Sequence, residues 1–496
     1  MIIAVHGSRV GQSNNCIIML SALRLGVFIG ASIDDDTWKG GIDAMHDGAA
    51  GNVCEENTAT TASDASTVEA VDRWPVTLRS LRHRNFRIYF AGQFVSLIGT
   101  WTQSTAQAWL VYKLAGPRAG PLLGLIAFAG QIPMLVCGPF GGTVADSWNR
   151  RRVVVATQAA SMILAFTLSA LVLTGHAKIW HIFTMAISLG IVNAFDIPAR
   201  QSFLVELVGK SDLMNAIALN SSMFHGARII GPAFAGLTLA VISEGWCFFL
   251  NGISFLAVIA GLLLVRVPPS TRQKLEGSAA SRIVEGFRFV AATAPIRVLL
   301  MHLGLVSLLG LPYLVLMPIF ADKILHGGAR GYGLLMGASG VGALAGAILL
   351  ANRSRIRGLG NWIAVGSICY AIALILFAFS RSFALSAFLL VIIGLAMMLQ
   401  MGGSNTLIQA MIPDSLRGRV MSVYSMMLMG MAPIGALLAG GLEARWGAPA
   451  TVAAGGFACL LSACVYQFAR PSLRPVARKL IEEQLPEEAI LGEAAG

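Results

Sequence analysis

The sequence predicts an all-α membrane protein, with twelve transmembrane helices in two pseudo-symmetric bundles of six. Three observations predict this class. Only 12% of the residues are charged and 56% are hydrophobic, against about a quarter charged in a soluble globule. The chain therefore has too little polar surface to cover itself in water. Next, "VVVATQAASMILAFTLSALVLTG" (153–175) and "SFALSAFLLVIIGLAMMLQMG" (382–402) each reach the ~20 residues that cross a hydrocarbon core. Backbone amides in lipid must be satisfied within their own segment, so such spans are helical. Lastly, "ELVGKSDLMNAIALNSSMFHGARIIGPAFAGL" (206–237) and "QAMIPDSLRGRVMSVYSMMLMGMAPIGALLAGGL" (409–442) share a polar turn, a small-residue helix start and a Gly/Ala-Pro-Gly cluster. They lie roughly 200 residues apart, as expected of the internal repeats of transporters.

In chain order, residues 1–78 are expected to be a disordered extension, since 33–67 is polar, turn-rich and aperiodic. Before it, "CIIMLSALRLGVFIGAS" (16–32) is short and interrupted by Arg24. It fits a signal-like segment, an interfacial segment or an over-long reading frame equally. The first bundle (79–266) has spans expected at 86–113, 119–144, 153–174, 179–198, 215–242 and 246–265. A linker (267–296) follows, in which Ile283, Val284, Phe287 and Val290 recur at helical spacing opposite Arg282, Glu285 and Arg288. That pattern predicts an amphipathic helix on the membrane surface. The second bundle (297–470) has spans expected at 298–322, 331–351, 361–379, 382–411, 418–441 and 448–469, and 471–496 form a tail.

The net charge of +11 falls in alternate loops. Roughly two dozen Lys and Arg lie on one side against about seven on the other, which places the richer side, and both termini, in the cytoplasm. This distribution sets orientation and gives no reason to expect nucleic acid. The seven cysteines are scattered with no CxxC pair, so no metal site is expected. "VGKS" (208–211) echoes a phosphate loop, but Leu204 stands where its first glycine belongs, so no nucleotide is expected. No paired acids, Ser/His arrangement or cofactor motif falls in the spans, and the chain reads as a non-enzyme without cofactors.

The loop "GGTVADSWNRRR" (141–152) concentrates charge between the second and third spans. Its Gly142, Asp146, Arg150 and Arg151 match the pattern G-x-x-x-D-x-x-x-R-[RK] at that topological place. Through these residues the chain resembles the major facilitator superfamily, and within it the bacterial efflux branch of enterobactin exporters and transmembrane secretion effectors. The resemblance covers about 79–470. Ser147 and Asn149 depart from the family pattern but spare the acid and the basic pair. Asp196, Pro198, Ala199, Arg200 and Gln201 match a D-x-P-A-R-Q motif. Gly231, Pro232 and Gly236 match the family's antiport-associated cluster, with Pro433 in the equivalent place in the second repeat.

Physically, Gly142 would let the second span approach a neighbour closely, and Asp146 would face a helix N-terminus. The resemblance nominates the eleventh span, near Gly418. Arg150 would pair with Asp196, closing a cytoplasmic latch that also includes Arg151 and Arg200. Proline and glycine in a span permit bending and close packing, so Gly231, Pro232, Gly236 and Pro433 are candidate bending points. In the first span, Gln93, Ser96, Thr100, Gln103 and Gln107 share one helical face. That face either lines a cavity or bonds neighbouring helices. The resemblance implies a cavity lined by spans one, four, seven and ten, to which Asn193, Gln400, Ser404 and Asn405 would contribute.

The resemblance further implies a secondary active transporter, a proton-driven exporter of small amphiphilic molecules (drug, siderophore or metabolite). It would work as a monomer in the bacterial inner membrane. Its partners would be its small-molecule cargo, protons and the bilayer, with no nucleotide or nucleic acid. Uptake symport, uniport and a non-transporting scaffold remain open on the same fold. No carboxylate lies deep in a span, so Asp196, His225 and Arg228 are the proton-coupling candidates. His225 titrates in the physiological range, and an arginine at depth normally has a partner or a role.

Overall fold

A computed structural model describes residues 76–209, 211–265, 279–353 and 358–484. The predicted N-terminal extension, up to residue 75, lies outside the described residues. A 3-10 turn (Val76–Arg82) leads into α1 (Arg84–Ala115), followed by α2 (Ala119–Ser147), α3 (Arg150–Leu173), α4 (Ile179–Val208), α5 (Leu213–Leu239) and α6 (Glu244–Leu264). After the linker helix α7 (Ala279–Ala292), the chain continues through α8 (Ala294–Leu305) and α9 (Tyr313–Ile319). It goes on through α10 (Gly328–Ala351), α11 (Leu359–Phe379), α12 (Phe383–Ala410), α13 (Asp414–Ser425) and α14 (Met431–Glu482).

Among the described residues, 9 helical stretches are long and apolar enough to cross a membrane. Two of them are double: Arg84–Ala145 turns at Gly116 (φ 53°) and Ser415–Glu482 at Gly447 (φ 77°). Both corners use glycine because a left-handed backbone penalises a side chain. The 27-residue α5 is long enough to span but is not among the nine. Asn215, Asn220, Ser221, Ser222, His225 and Arg228 lower its hydropathy. The seventh expected span is α8 and α9 joined by a π-turn (Val306–Gly310), with a second π-turn (Phe320–Ile324) beyond α9. A third (Met426–Gly430) joins α13 to α14. Pro433 lacks the N–H that would reach Met429, inside that third turn, so the wide turn falls where the helical ladder is already broken.

Helix pairing repeats between the halves: α2 packs on α4 as α10 packs on α12, and α3 packs on α6 as α11 packs on α14. The largest contacts between halves, α2 with α14 and α5 with α10, are equivalents of each other under the same repeat. Val95, Val136, Phe140, Ile163, Leu263 and Phe468 are each more than half exposed, a lipid-facing belt that water would not tolerate.

The linker helix, expected on the membrane surface, makes specific contacts with the second bundle. Glu285 pairs with Arg419, Gly286 closely approaches the Arg419 carbonyl, and Val290 joins a core with Ile296, Leu299 and Val423. Thus α7 is fastened to the second bundle at the start of α13. The final helix also runs on to Glu482, and its Ala477, Leu480 and Ile481 pack back on that core.

Candidate functional site

The two bundles meet differently at their two ends. We call the end bearing Arg84, Arg150 and Asp414 the basic end, and the opposite one the far end. At the far end a single apolar core crosses from one bundle to the other, uniting Trp109, Leu110, Ile182 and Phe248 with Leu316, Phe320 and Tyr332. At the basic end there are two separate cores. One, around Phe86, Val154 and Phe203, belongs wholly to the first bundle, and the other, around Leu299, Ile363 and Val420, wholly to the second. The bundles are therefore joined at one rim and parted at the other, with a cleft between them.

The far-end seam is built from glycines and charged hydrogen bonds, among them one from the Gly120 backbone of α2 to Glu443 of α14. A methyl on Gly236 of α5 would sit 2.7 Å from the Gly333 Cα of α10, so both positions must lack side chains. Gly124 and Gly440 make the equivalent crossing of α2 with α14. Tyr112 donates to Asp322 Oδ2 at 2.6 Å, with the Lys323 ammonium over the Tyr112 ring at 5.9 Å. Trp109 stacks on Tyr332 with ring centroids 6.0 Å apart.

At the basic end the predicted latch residues are apart from the second bundle. A methyl on Gly142, or on Gly418, would meet nothing within 4 Å. The glycine that brings α2 against α4 is Gly141, which faces the Ala194 carbonyl. Pro198 deprives that carbonyl of its helical N–H partner. Asp146 lies in α2, and its side chain falls outside what is described.

Arg150 pairs with Glu206 at 2.8 Å, not with Asp196 as the sequence suggested. The expected fourth span stopped at Pro198, which would put Asp196 at the rim. In fact α4 continues through the proline to Val208, so Asp196 lies ten residues deeper than Glu206, about 15 Å along the axis. There Asp196 is 3% exposed, is paired with Arg200 at 2.8 Å, and accepts from Thr157 at 2.8 Å and Gln158 at 2.9 Å. Arg151 donates to the Leu262 and Leu263 carbonyls at 2.7 and 2.8 Å, closing the carbonyl end of α6.

An unforeseen clasp lies beside these residues. Asp212, just before α5, binds Arg79, Arg82 and His83 at 3.3, 2.8 and 2.6 Å, and its carbonyl accepts from Ser80. The hydrogen bond from His83 first, then Arg82 and the Arg82 and Arg79 charges, hold its carboxyl below the ordinary carboxylate value against the opposing effect of burial.

The predicted cavity stripe is divided. Gln93, Ser96 and Gln103 are buried, and Gln103 accepts from Asn251 of α6 at 2.7 Å. Gly99 packs against Asn251 and Ser254, which turns that part of the stripe into the bundle. Thr100 is exposed and Gln107 half-buried. In α12, Gln400 and Ser404 are buried, while Asn193 and Asn405 keep partial exposure. Gln400 approaches His302 Nε2 at 3.0 Å, and His302 also contacts Ser367 and Ser462 at 2.8 and 2.7 Å. This His302 hub, inside the second bundle, was not singled out from sequence. Gln93, Ser96, Gln103, Gln400 and Ser404 thus lie buried between helices in this conformation.

At mid-depth, α5 faces four ways. Ile229, Ala233 and Gly236 meet α10, Met223, Ala227 and Gly231 meet α1, and Ile230, Phe234 and Leu237 are exposed as a lipid face would be. The remaining face carries Ser221, His225 and Arg228 and looks into the cleft. The Arg228 guanidinium lies over the Trp101 ring at 5.7 Å, and Trp101 meets Phe224 edge-on at 5.6 Å. In the second bundle, Tyr313 of α9 is buried and bonded to Ser339 at 3.1 Å. Of the predicted bending residues, Gly231 and Gly236 serve close crossings, while Pro232 and Pro433 are buried within helices.

Residues 76–490 match the family model described as transmembrane secretion effector. The chain is 25% identical to a staphyloferrin A transporter of Staphylococcus aureus over 358 residues, covering 71% of this chain and 88% of that one. It is 28% identical to the multidrug efflux pump Tap of Mycolicibacterium fortuitum, covering 74% and 90%. It is 25% identical to the enterobactin exporter EntS of Shigella flexneri, covering 78% and 92%. Among solved structures, the nucleoside transporter NupG superposes with a TM-score of 0.60 at 12% identity, covering 77% of this chain and 98% of that one. A D-xylose-proton symporter gives 0.62 at 14%, covering 77% and 96%.

Proposed function

We propose, from the premise that this chain belongs to the transmembrane secretion effector family of the major facilitator superfamily, that it exports small amphiphilic molecules across the inner membrane by alternating access. One observation carries the reading. The bundles share one apolar core at the far end and keep separate cores at the basic end. Two bodies joined at one rim about a central cleft are one half of a rocking cycle. The excess of Lys and Arg puts the basic end in the cytoplasm, so the conformation is the one that loads cargo from inside.

The names of the curated relatives favour export of a siderophore-like or drug-like cargo. Efflux against a gradient needs an energy source, and an imposed proton gradient supplies one. In the opposite half of the cycle, Asp146 would reach the start of α13 and close the basic end. The test uses everted vesicles preloaded with acid and supplied with a fluorescent amphiphile, rhodamine 6G or carboxyfluorescein. Proton-driven export predicts dye accumulation that stops when the gradient is collapsed, and that Asp146→Asn lowers while leaving membrane insertion intact. Dye movement that ignores the gradient, or insensitivity to Asp146→Asn, would contradict the reading. An uptake symporter would instead release preloaded dye from the vesicles.

A further inference from the structure

Arg228 is a cation held at mid-membrane without an acidic partner. Among the described residues its neighbours include the Trp101 face and His225 one turn away, and no carboxylate lies within ion-pair distance of it. Among the described residues, the deep carboxylate of the first bundle, Asp196, is by contrast matched by Arg200. A bare guanidinium in a low-dielectric site is costly, and a ring quadrupole offsets only part of that cost. The Trp101 ring covers one face of the guanidinium and leaves its donor edge available for a bidentate acceptor. Beside it, His225 Nδ1 is buried with no hydrogen-bond partner. Trp101 and Phe224 set aromatic surface beside these two polar groups, Phe224 meeting the His225 ring edge-on at 5.8 Å.

From this arrangement we infer that Arg228 is the anchor for a carboxylate on the transported molecule, with His225 as a second polar contact and Trp101 and Phe224 as a wall for an aromatic or planar body. The cargo class is therefore an anionic aromatic amphiphile. The inference rests on the export reading for the site's purpose, but binding itself does not require transport.

The experiment uses the purified full chain in nanodiscs and two dyes on one xanthene scaffold, carboxyfluorescein (anionic) and rhodamine 6G (cationic). The inference predicts saturable binding of carboxyfluorescein at least ten-fold tighter than that of rhodamine 6G. Arg228→Gln should weaken carboxyfluorescein at least ten-fold and leave rhodamine 6G unchanged, with Arg228→Lys restoring part of the loss. A merely structural arginine would instead weaken both dyes together and lower the thermal midpoint. Equal weakening of both dyes, unchanged carboxyfluorescein binding in Arg228→Gln, preference for rhodamine 6G, or no saturable binding of either dye overturns the inference. Gradient-driven movement of dye in vesicles separates the two readings. Transport with a cationic preference sinks this inference alone, whereas selective anion binding without any transport sinks the export reading and leaves the anion site standing.

Discussion

Tyr112→Phe removes one hydroxyl from the far-end seam and should open it. The bond it deletes, Tyr112 to Asp322 at 2.6 Å, joins the first bundle to the second, so it exists only while that rim is closed. Hydrogen bonds to a charged group contribute about 1.5–3 kcal/mol net. Asp322 keeps partial exposure and Lys323 stays nearby, so the low end of that range applies. At about 1.4 kcal/mol per factor of ten, the closed-to-open ratio falls about ten-fold. A far-end-closed population near 99% would drop to about 90%. Spin labels at Leu114, which is 44% exposed on α1, and at exposed Arg330 on α10 report the gap between the bundles. The background would have the seven native cysteines replaced. A second, longer distance should grow in Tyr112→Phe and in Asp322→Asn alike. An unchanged distribution in both variants would refute the assignment of this bond as a gate contact.

Further expectations follow from the same contacts. Gly236→Val places a branched side chain where the Gly333 backbone already sits. Overpacking of this kind costs about 1–3 kcal/mol, so the same label pair should widen and vesicle transport fall while the protein still inserts. His302→Ala leaves Ser367, Ser462 and Gln400 without their shared partner. Thermal stability in detergent should drop by about 2–3 kcal/mol, and His302→Asn should recover part of it. Asp212 has its carboxyl held below the usual value of 3.8, so its contribution is complete above that pH and is lost as pH falls through the lower folded value. Melting midpoints of wild type and Asp212→Asn should differ near neutrality and converge below about pH 4, near the ordinary carboxylate range. A difference that persists unchanged into acid would contradict the clasp.

Much of the architecture was legible in the sequence because lipid constrains it. The starts of the second, fourth, sixth and tenth spans fall within two residues of their expected positions, since apolar run length is dictated by bilayer thickness. The misreadings share a cause. Pro198 predicts the end of a span, but α4 continues through it to Val208 with Gly141 packed on the Ala194 carbonyl, and the depth of Asp196 and the partner of Arg150 both change with it. The stripe Gln93 to Gln107 was undecided between cavity and packing because periodicity gives the face and not the neighbour. Gly92 and Gly99 bring α6 against α1 beside that face, a neighbour that periodicity cannot name. Tyr112 and Asp322 are 210 residues apart, and neither belongs to a motif, so no local pattern could join them. Arg228 and His225 were visible as ionisable residues at depth. Only the fold reveals that Trp101 lies over Arg228 and that no carboxylate answers its charge.

The most direct test of two rocking bodies is to read both rims in one sample. Labels at Ser147 and Ser415, exposed at the basic ends of α2 and α13, would be measured alongside the Leu114–Arg330 pair in wild type and Tyr112→Phe. Rigid bundles tilting about a central cleft predict opposite changes: as the far-end distance grows, the basic-end distance shortens in an equal fraction of molecules. If both distances lengthen together, or the basic-end distance stays fixed while the far end opens, the bundles loosen or fray instead of alternating.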